Sequence, residues 1–195
     1  MRDSSLQAVN VQEPREPMEQ LDRATRYLER MREIYAGAIS THHDKNRYED
    51  DMVSFFVHCH HVGDWFTQLN KMGITQGQVN AFINRHEALR VCADLCNGSK
   101  HYRLTRTLRT GRQPHIALKQ YKASTWLTNG GGGEFIEGRY SILIASGTID
   151  ALVLAEQCLK LWTDLVASIM AMVVEGAVMD SPELLLPPTT LAGIR

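Results

Sequence analysis

The sequence predicts a mainly α-helical protein, an antiparallel four-helix bundle with a β-hairpin inserted between helices three and four. Three observations lead to this fold class. Four long segments repeat apolar residues at intervals of three and four, one segment after Gly111 alternates with a period of two, and a glycine run follows it. Because each amphipathic helix has one apolar stripe to bury, an antiparallel bundle is the simplest arrangement.

The four helices are predicted from their apolar stripes and their end signals. Pro17 suits the first turn of helix one, and Gly37 and Gly73 are suited to end helices one and two. Thr148 is expected to cap helix four. The predicted spans are 17–36, 47–72, 75–105 and 148–177. The stripe of helix two comprises Tyr48, Met52, Phe55, Phe56, Cys59, Val62, Phe66 and Leu69.

The hairpin is predicted at about 113–146. Its first strand alternates from Ile116 to Ala123, its second strand is 140–145, and the glycine-rich run 129–133 is expected to form a long mobile tip between them. Residues 1–16 have no periodicity, which favours a flexible lead-in. Three of the six prolines fall in 178–195, which favours an irregular tail. The bundle domain should therefore span 17–177.

Length and composition favour one intracellular domain. A chain of 195 residues with 44% hydrophobic content can bury a core without disulfides or metals. No apolar stretch is long enough to cross a membrane and no apolar signal segment opens the chain, so a cytoplasmic location and no membrane partner are expected. No cofactor is expected. Four cysteines on the predicted apolar faces should be reduced core thiols: Cys59, Cys92, Cys96 and Cys158.

Positive charge is concentrated in one part of the chain. No Asp or Glu occurs between Asp94 and Glu134, and we call this stretch the basic interval. Clustered cations without acids attract the phosphates of nucleic acids and nucleotides, although an unliganded solvated surface has the same composition. The candidate phosphate-binding residues are Lys100, Arg103, Arg106, Arg109, Arg112, Lys119 and Lys122.

A polar stripe on helix three is the candidate catalytic site. At 100° per residue, Arg90, Asp94, Asn97 and His101 fall within a sector of about 60°. His101 is expected to act as a general acid or base, with the other three around it. The alternative is an exposed helix edge on which Arg90 and Asp94 form an ordinary four-residue ion pair.

The histidines of helix two suggest a second, metal-dependent site. Bundles build metal centres from facing helices, and such a site here would use His58, His61, Asp94 and His101. The histidines of helix two point in different directions, however, and no Glu-x-x-His motif is present. Histidines that merely line helical faces are therefore the favoured interpretation, with no metal bound.

The bundle, its polar third helix and its basic surface resemble the HEPN superfamily, which occurs in prokaryotic toxin–antitoxin, antiviral defence and RNA-processing systems. Members that cleave RNA have an Arg followed after four to six residues by a His, brought together across a homodimer. Here the closest segment is 97–101, in which His101 matches the motif histidine. The motif arginine is absent, since positions 95–97 are Leu95, Cys96 and Asn97.

This resemblance implies a homodimer that binds RNA or a nucleotide, with metal-independent ribonuclease activity if His101 is catalytic. The missing arginine leaves open a relative that binds without cleaving. Two other functions fit the same sequence. One is a non-enzymatic subunit that docks on a protein partner through its basic hairpin and Leu-rich tail, and the other is a metal-dependent helical-bundle hydrolase.

Overall fold

Five helices and one antiparallel sheet make up the structure, a computed structural model that describes residues 17–40, 45–69, 74–100, 107–128 and 131–174. The helices are α1 Pro17–Ala36, α2 Lys45–Leu69, α3 Gln76–Arg85, α4 Glu87–Lys100 and α5 Ala151–Val174. The strands are β1 Ala38–Ser40, β2 His115–Thr128, β3 Gly131–Ile144 and β4 Gly147–Asp150. The predicted lead-in 1–16 and tail 178–195 lie outside the described residues.

The predicted fold class is wrong. The chain is a mixed α/β protein and not a four-helix bundle with one inserted hairpin. The sheet is part of the core, since Ile136 and Ile142 of β3 have no exposed surface and Tyr140 has almost none. The helices bury apolar surface against β3 as well as against one another, which an appended hairpin would not allow.

Helix three of the prediction is two helices. Its start was correctly placed, because Thr75 and Gln78 form a reciprocal capping box at the start of α3. The backbone of His86 is extended, with φ −105° and ψ 117°, and this residue separates α3 from α4. The neighbouring sequence Asn-Arg-His-Glu contains neither glycine nor proline. The periodicity therefore carried no sign of the break.

Strand β3 is the centre of the sheet. Strand β2 pairs with it along almost its whole length, from His115 opposite Leu143 to Thr128 opposite Gly131. Both β1 and β4 pair with β3 on its other edge, β1 near residue 135 and β4 near residue 142. Most of the glycine run predicted as a mobile tip is thus paired strand, with residues 131–133 opposite 126–128.

The end of α1 and the start of α5 are both marked by local capping residues, although the residue that caps α5 is not the predicted one. Helix α1 ends before Gly37, whose φ of +96° favours glycine and whose Cα faces the ring of Phe135. Asp150 caps α5, because its carboxylate accepts hydrogen bonds from the amides of Leu152 at 2.9 Å and Val153 at 3.2 Å. The prediction of Thr148 as the cap is wrong, since Thr148 belongs to β4.

The core lies between the helices and the inner face of the sheet. Trp162 of α5 packs against Phe66 of α2 and Phe82 of α3, with ring centroids 6.2 and 5.4 Å apart. The hydroxyl of Tyr35 on α1 donates to the carbonyl of Tyr140 and accepts from its amide, which ties α1 to β3. Within the described residues, no helix combines the length and the apolar character needed to cross a membrane.

Candidate phosphate-binding surface

Part of the predicted site can be placed. Arg90, Asp94 and Asn97 are on α4, and Arg109 and Arg112 are in the segment that joins α4 to β2. Lys100 is the last residue of α4, and its side chain is not described. The predicted residues His101, Arg103 and Arg106 lie outside the described residues. The predicted site residues whose side chains are described therefore lie on α4 up to Asn97 and in the segment 107–114.

Asp94 binds the segment that follows α4. Its side chain is 2% exposed, and its carboxylate accepts hydrogen bonds from the amides of Arg109 at 3.0 Å and Thr110 at 2.8 Å. The hydroxyl of Thr110 is a third donor, at 2.7 Å. A carboxylate that accepts three hydrogen bonds at a turn stabilises that turn. We therefore assign Asp94 a structural function and give it no part in acid–base chemistry.

Arg90 interacts with the break between α3 and α4. Its guanidinium donates to the carbonyl of Asn84 at 3.0 Å, a group that the end of α3 leaves without a helical partner. The Nε atom of Arg90 is buried without a hydrogen-bond partner. Arg90 and Asp94 form no ion pair, so the alternative expected from their four-residue spacing is not the arrangement in the structure.

Arg109 bridges the same segment to α3. One of its terminal nitrogens donates to the side-chain oxygen of Asn84, and the other donates to that of Asn80 at 3.0 Å. Asn80 and Asn84 are one turn apart on α3, which matches the spacing of the two arms of a guanidinium. Sequence analysis did not include these asparagines. Their four-residue spacing was the only available signal, and it is common in helices.

The guanidiniums of Arg90 and Arg109 meet at Asn84, and within the described residues no carboxylate forms an ion pair with either of them. All the partners of these guanidiniums in that part of the chain are neutral oxygens. Arg112, in the turn that Asp94 stabilises, is exposed to solvent. We call Arg90, Arg109 and Asn84 the arginine junction. It combines two oriented, uncompensated cations with a rigid support.

The lysines of the hairpin are in a different electrostatic environment. Lys119 on β2 forms an ion pair with Glu49 on α2, with Nζ 2.5 Å from the carboxylate. This contact raises the pKa of Lys119 above its ordinary value. Lys122 lies directly opposite Glu137 of β3. The basic interval is therefore compensated at Lys119 by an acid distant in sequence, whereas Glu137 forms its ion pair with Arg139 and not with Lys122.

The residues of the alternative metal site have other partners. His58 Nδ1 is 2.9 Å from the side-chain nitrogen of Gln20, and its ring stacks on Tyr27. Burial, followed by nearby positive charge, lowers the pKa of His58. His61 Nδ1 is 2.7 Å from the carboxylate of Asp64. Since Asp94 binds residues 109 and 110, the described members of this set form no common site.

An apolar cavity of about 500 Å³ opens beside the segment 107–114. Gln113 lines it, and the side-chain oxygen of Gln113 is buried without a hydrogen-bond partner. The same segment thus places Arg109 at the arginine junction and Leu108 at the cavity. The lining residues from the helices and strands are Met52, Val53, Phe56, Leu95, Gly98, Ser99, His115, Ile116 and Ile142.

Comparison with protein-family models, with curated proteins and with solved structures gave no match for this chain. No family is therefore assigned, and the resemblance to the HEPN superfamily stays a prediction. The chemistry of the arginine junction itself indicates what it can bind. Oriented guanidiniums without counter-ions are suited to bind an anion, above all a phosphate, by charge-assisted hydrogen bonds.

Proposed function

We propose that this protein binds RNA or a nucleotide, with the arginine junction contacting phosphate. The observation that carries the proposal is that the guanidiniums of Arg90 and Arg109 meet at Asn84 and donate to neutral oxygens only. A guanidinium has more N–H donors than these contacts use, and its fork shape matches phosphate oxygens. Asn80 and Asn84 hold the Arg109 side chain in place before binding, which reduces the entropy lost on association.

The surroundings of the junction support a nucleic-acid ligand over a free phosphate. Arg112 adds a further exposed cation on the same turn. The apolar cavity next to this turn offers a volume in which a base could be sheltered from water, with the unpartnered oxygen of Gln113 as a hydrogen-bond acceptor for it. Phosphate contacts would supply affinity, and contacts in the cavity would supply preference among bases.

Binding is the part of the proposal that the described residues support, and cleavage depends on His101. Asp94 is occupied by the turn, and Asn97 is half-buried on α4. If the protein cleaves RNA, His101 acts as the general base without a metal, and replacing His101 with Ala should abolish cleavage while leaving RNA binding close to wild type. Equal cleavage by that variant would contradict this assignment.

The test of binding is a titration of labelled single-stranded RNA at several salt concentrations. The wild-type affinity should fall steeply as salt increases, because bound phosphates release counter-ions. Arg109→Ala should weaken binding about tenfold at low salt and lower the salt dependence by about one released ion. Arg109→Lys should recover part of the affinity, since it keeps the charge but loses the fork.

Lys119→Ala is the matched control, because it removes an exposed cation that already has a carboxylate partner. It should change affinity by less than about twofold. Circular dichroism and thermal unfolding of each variant would separate lost contacts from lost structure. Equal losses in Arg109→Ala and Lys119→Ala would show that binding follows total charge, and the proposal of a specific junction would be abandoned.

A second candidate function, self-association, is favoured by the free edge of β2. This strand is at the end of the sheet order and pairs only with β3 among the described strands. It is 14 residues long, and Leu118, Trp126 and Leu127 on it are exposed. Long apolar edges pair with other strands, and an antiparallel strand can pair with its own copy about a two-fold axis.

The homodimer would then form through a continuous sheet. Leu127, which is 90% exposed, and Leu118 should tolerate substitution without loss of fold. Sedimentation of the double variant Leu118→Lys, Leu127→Lys should give a monomer where the wild type gives a dimer. Met170→Lys is the control, since Met170 is about as exposed as Leu118 but lies on α5. A wild-type monomer at all concentrations would remove this candidate.

A further inference from the structure

Three cysteine thiols from three helices meet in the core. Cys59 is on α2, Cys92 on α4 and Cys158 on α5, and their sulfur atoms all lie within 4.8 Å of one another. None is in a disulfide, and each is at most 1% exposed. We call these residues the thiol cluster. In the described chain it is the one group of three His, Cys, Asp or Glu side chains with its ligand atoms this close.

The sulfurs are held in place by the surrounding backbone. The thiol of Cys92 donates to the carbonyl of Phe56 at 3.4 Å, and that of Cys158 donates to the carbonyl of Ala88 at 3.3 Å. An ion that binds three sulfurs in a trigonal pyramid, with bonds of about 2.3 Å and angles of roughly 95°, leaves the sulfurs about 3.4 Å apart. The observed spacing therefore accommodates one ion after small side-chain movements.

A second group points to the same place. The indole N–H of Trp162 is buried and has no hydrogen-bond partner of normal geometry. It lies beside the thiol of Cys59. Buried N–H donors are seldom left unpaired. A thiolate bound to an ion accepts hydrogen bonds better than a thiol does, so a loaded cluster would satisfy this donor.

We propose that the thiol cluster binds one trivalent ion with a high affinity for thiolates. As(III) is the ion of this class that we choose for the test. The choice of ion rests on charge. No cation is buried among the described residues, so the core cannot neutralise a charged complex. Three thiolates around a trivalent ion are neutral, whereas Zn²⁺ leaves one negative charge and a vacant fourth position, and Cu⁺ leaves two negative charges.

The reaction balances without an oxidant or a base. Arsenous acid, As(OH)₃, exchanges its three As–O bonds for three As–S bonds. Each thiol proton leaves with a hydroxide as water, so three waters are released and no electron is transferred. The exchange consumes three thiols and leaves the net charge of the core unchanged.

The test uses the reduced full-length protein titrated with sodium arsenite. Intact mass spectrometry should show one arsenic gained and three hydrogens lost per chain, and the Tm should rise because the three converging sulfurs of the folded state bind the ion more tightly than the separated cysteines of the unfolded chain. Cys92→Ala and Cys158→Ala should each weaken arsenite binding at least about tenfold. The matched control is Cys96→Ala, which removes a buried cysteine one turn away on α4 and should bind like the wild type.

A mapping experiment keeps the test decisive if the core variants fail to fold. Arsenite-loaded wild type is unfolded briefly and alkylated, and the modified cysteines are identified by mass spectrometry. Cys96 should be alkylated while the thiol cluster is protected. Equal protection of all four cysteines, no adduct with the folded protein, or preferential binding of Zn²⁺ through the same cysteines would each overturn the proposal.

Discussion

The arginine junction and the hairpin lysines come from the same basic interval, yet the fold places them in opposite electrostatic situations. Arg90 and Arg109 are bound by carbonyl and amide oxygens, which carry no net charge. Lys119 and Lys122 lie beside carboxylates, Glu49 and Glu137. The guanidiniums have no ion-pair partner among the described residues, whereas the charge of Lys119 is partly cancelled by Glu49.

The difference shows why a charge count along the chain is a poor guide to a binding surface. Glu49 precedes the basic interval and Glu137 follows it. Only the fold brings Glu49 to Lys119 and places Glu137 opposite Lys122. Arginines whose guanidiniums are oriented by neutral groups are the better indicator of an anion site, because solubility alone does not require a fixed side-chain orientation.

The largest expected effect comes from removing Asp94, which positions Arg109. Asp94→Ala should lower the free energy of unfolding by about 3 kcal/mol, because it leaves three hydrogen-bond donors without their buried acceptor. Urea unfolding followed by circular dichroism measures this. RNA affinity should fall about tenfold at temperatures where the variant is folded.

Asp164→Ala provides the control for that variant. Asp164 is an exposed carboxylate that pairs with Lys160 one turn earlier on α5. Its removal should cost less than about 0.5 kcal/mol, as is usual for exposed pairs. If Asp94→Ala were no more destabilising than Asp164→Ala, the turn would not depend on Asp94. Asp94 would then not be the residue that positions Arg109 at the arginine junction.

An effect of intermediate size on the pH dependence of stability is expected when His86 is replaced. This residue separates α3 from α4 and lies beside the arginine junction. Burial, and then the positive charge of Arg85, lowers the pKa of His86 below the ordinary 6.5. The folded state therefore resists protonation that the unfolded state accepts near pH 6.5, so this contribution to stability is complete above that pH and is lost as pH falls below it. The urea midpoint should decrease between pH 7 and pH 5, and less so in His86→Gln.

His58 must be tested in parallel, because its pKa is also lowered by burial. His58→Gln should remove a separate part of the same pH dependence. If the midpoint of the double variant still decreased as in the wild type, other groups would govern acid sensitivity. The lowered pKa values of His86 and His58 would then make no measurable contribution to the pH dependence.

The smallest effect concerns the hairpin. Glu49→Gln removes the partner of Lys119 and should increase RNA affinity about twofold at low salt, with less than about 1 kcal/mol lost in stability. The gain should disappear when Lys119→Ala is added. No gain from Glu49→Gln would place the hairpin away from the ligand, and a gain larger than the loss in Arg109→Ala would reverse the comparison.

The sequence was sufficient to predict the helices with clear apolar stripes. In α2, Met52, Phe55 and Val62 from the predicted stripe are all buried. The antiparallel pairing of the predicted strands 116–123 and 140–145 is also present, although the strands continue through most of the predicted tip. These signals are local, because each depends on residues within two or three turns or on neighbouring strand positions.

The features that sequence analysis missed depend on distant partners. Strands β1 and β4 have three and four residues and exist because β3 offers them an edge, so their own residues carry little signal. The extended backbone of His86 is stabilised by surroundings that include Arg90. The thiol cluster requires the relative rotation of α2, α4 and α5, which no periodicity within a single helix determines.

The position of β3 has a consequence for how the chain is made. Helices α1 and α2 are neighbours in sequence and can pair as soon as both are synthesised. Strand β1 must wait, because Ala38 pairs with Ile136, about a hundred residues later in translation. Until β3 leaves the ribosome, the helical half carries an uncovered apolar surface. Newly made chains should therefore depend most on chaperones in the interval before β3 has left the ribosome.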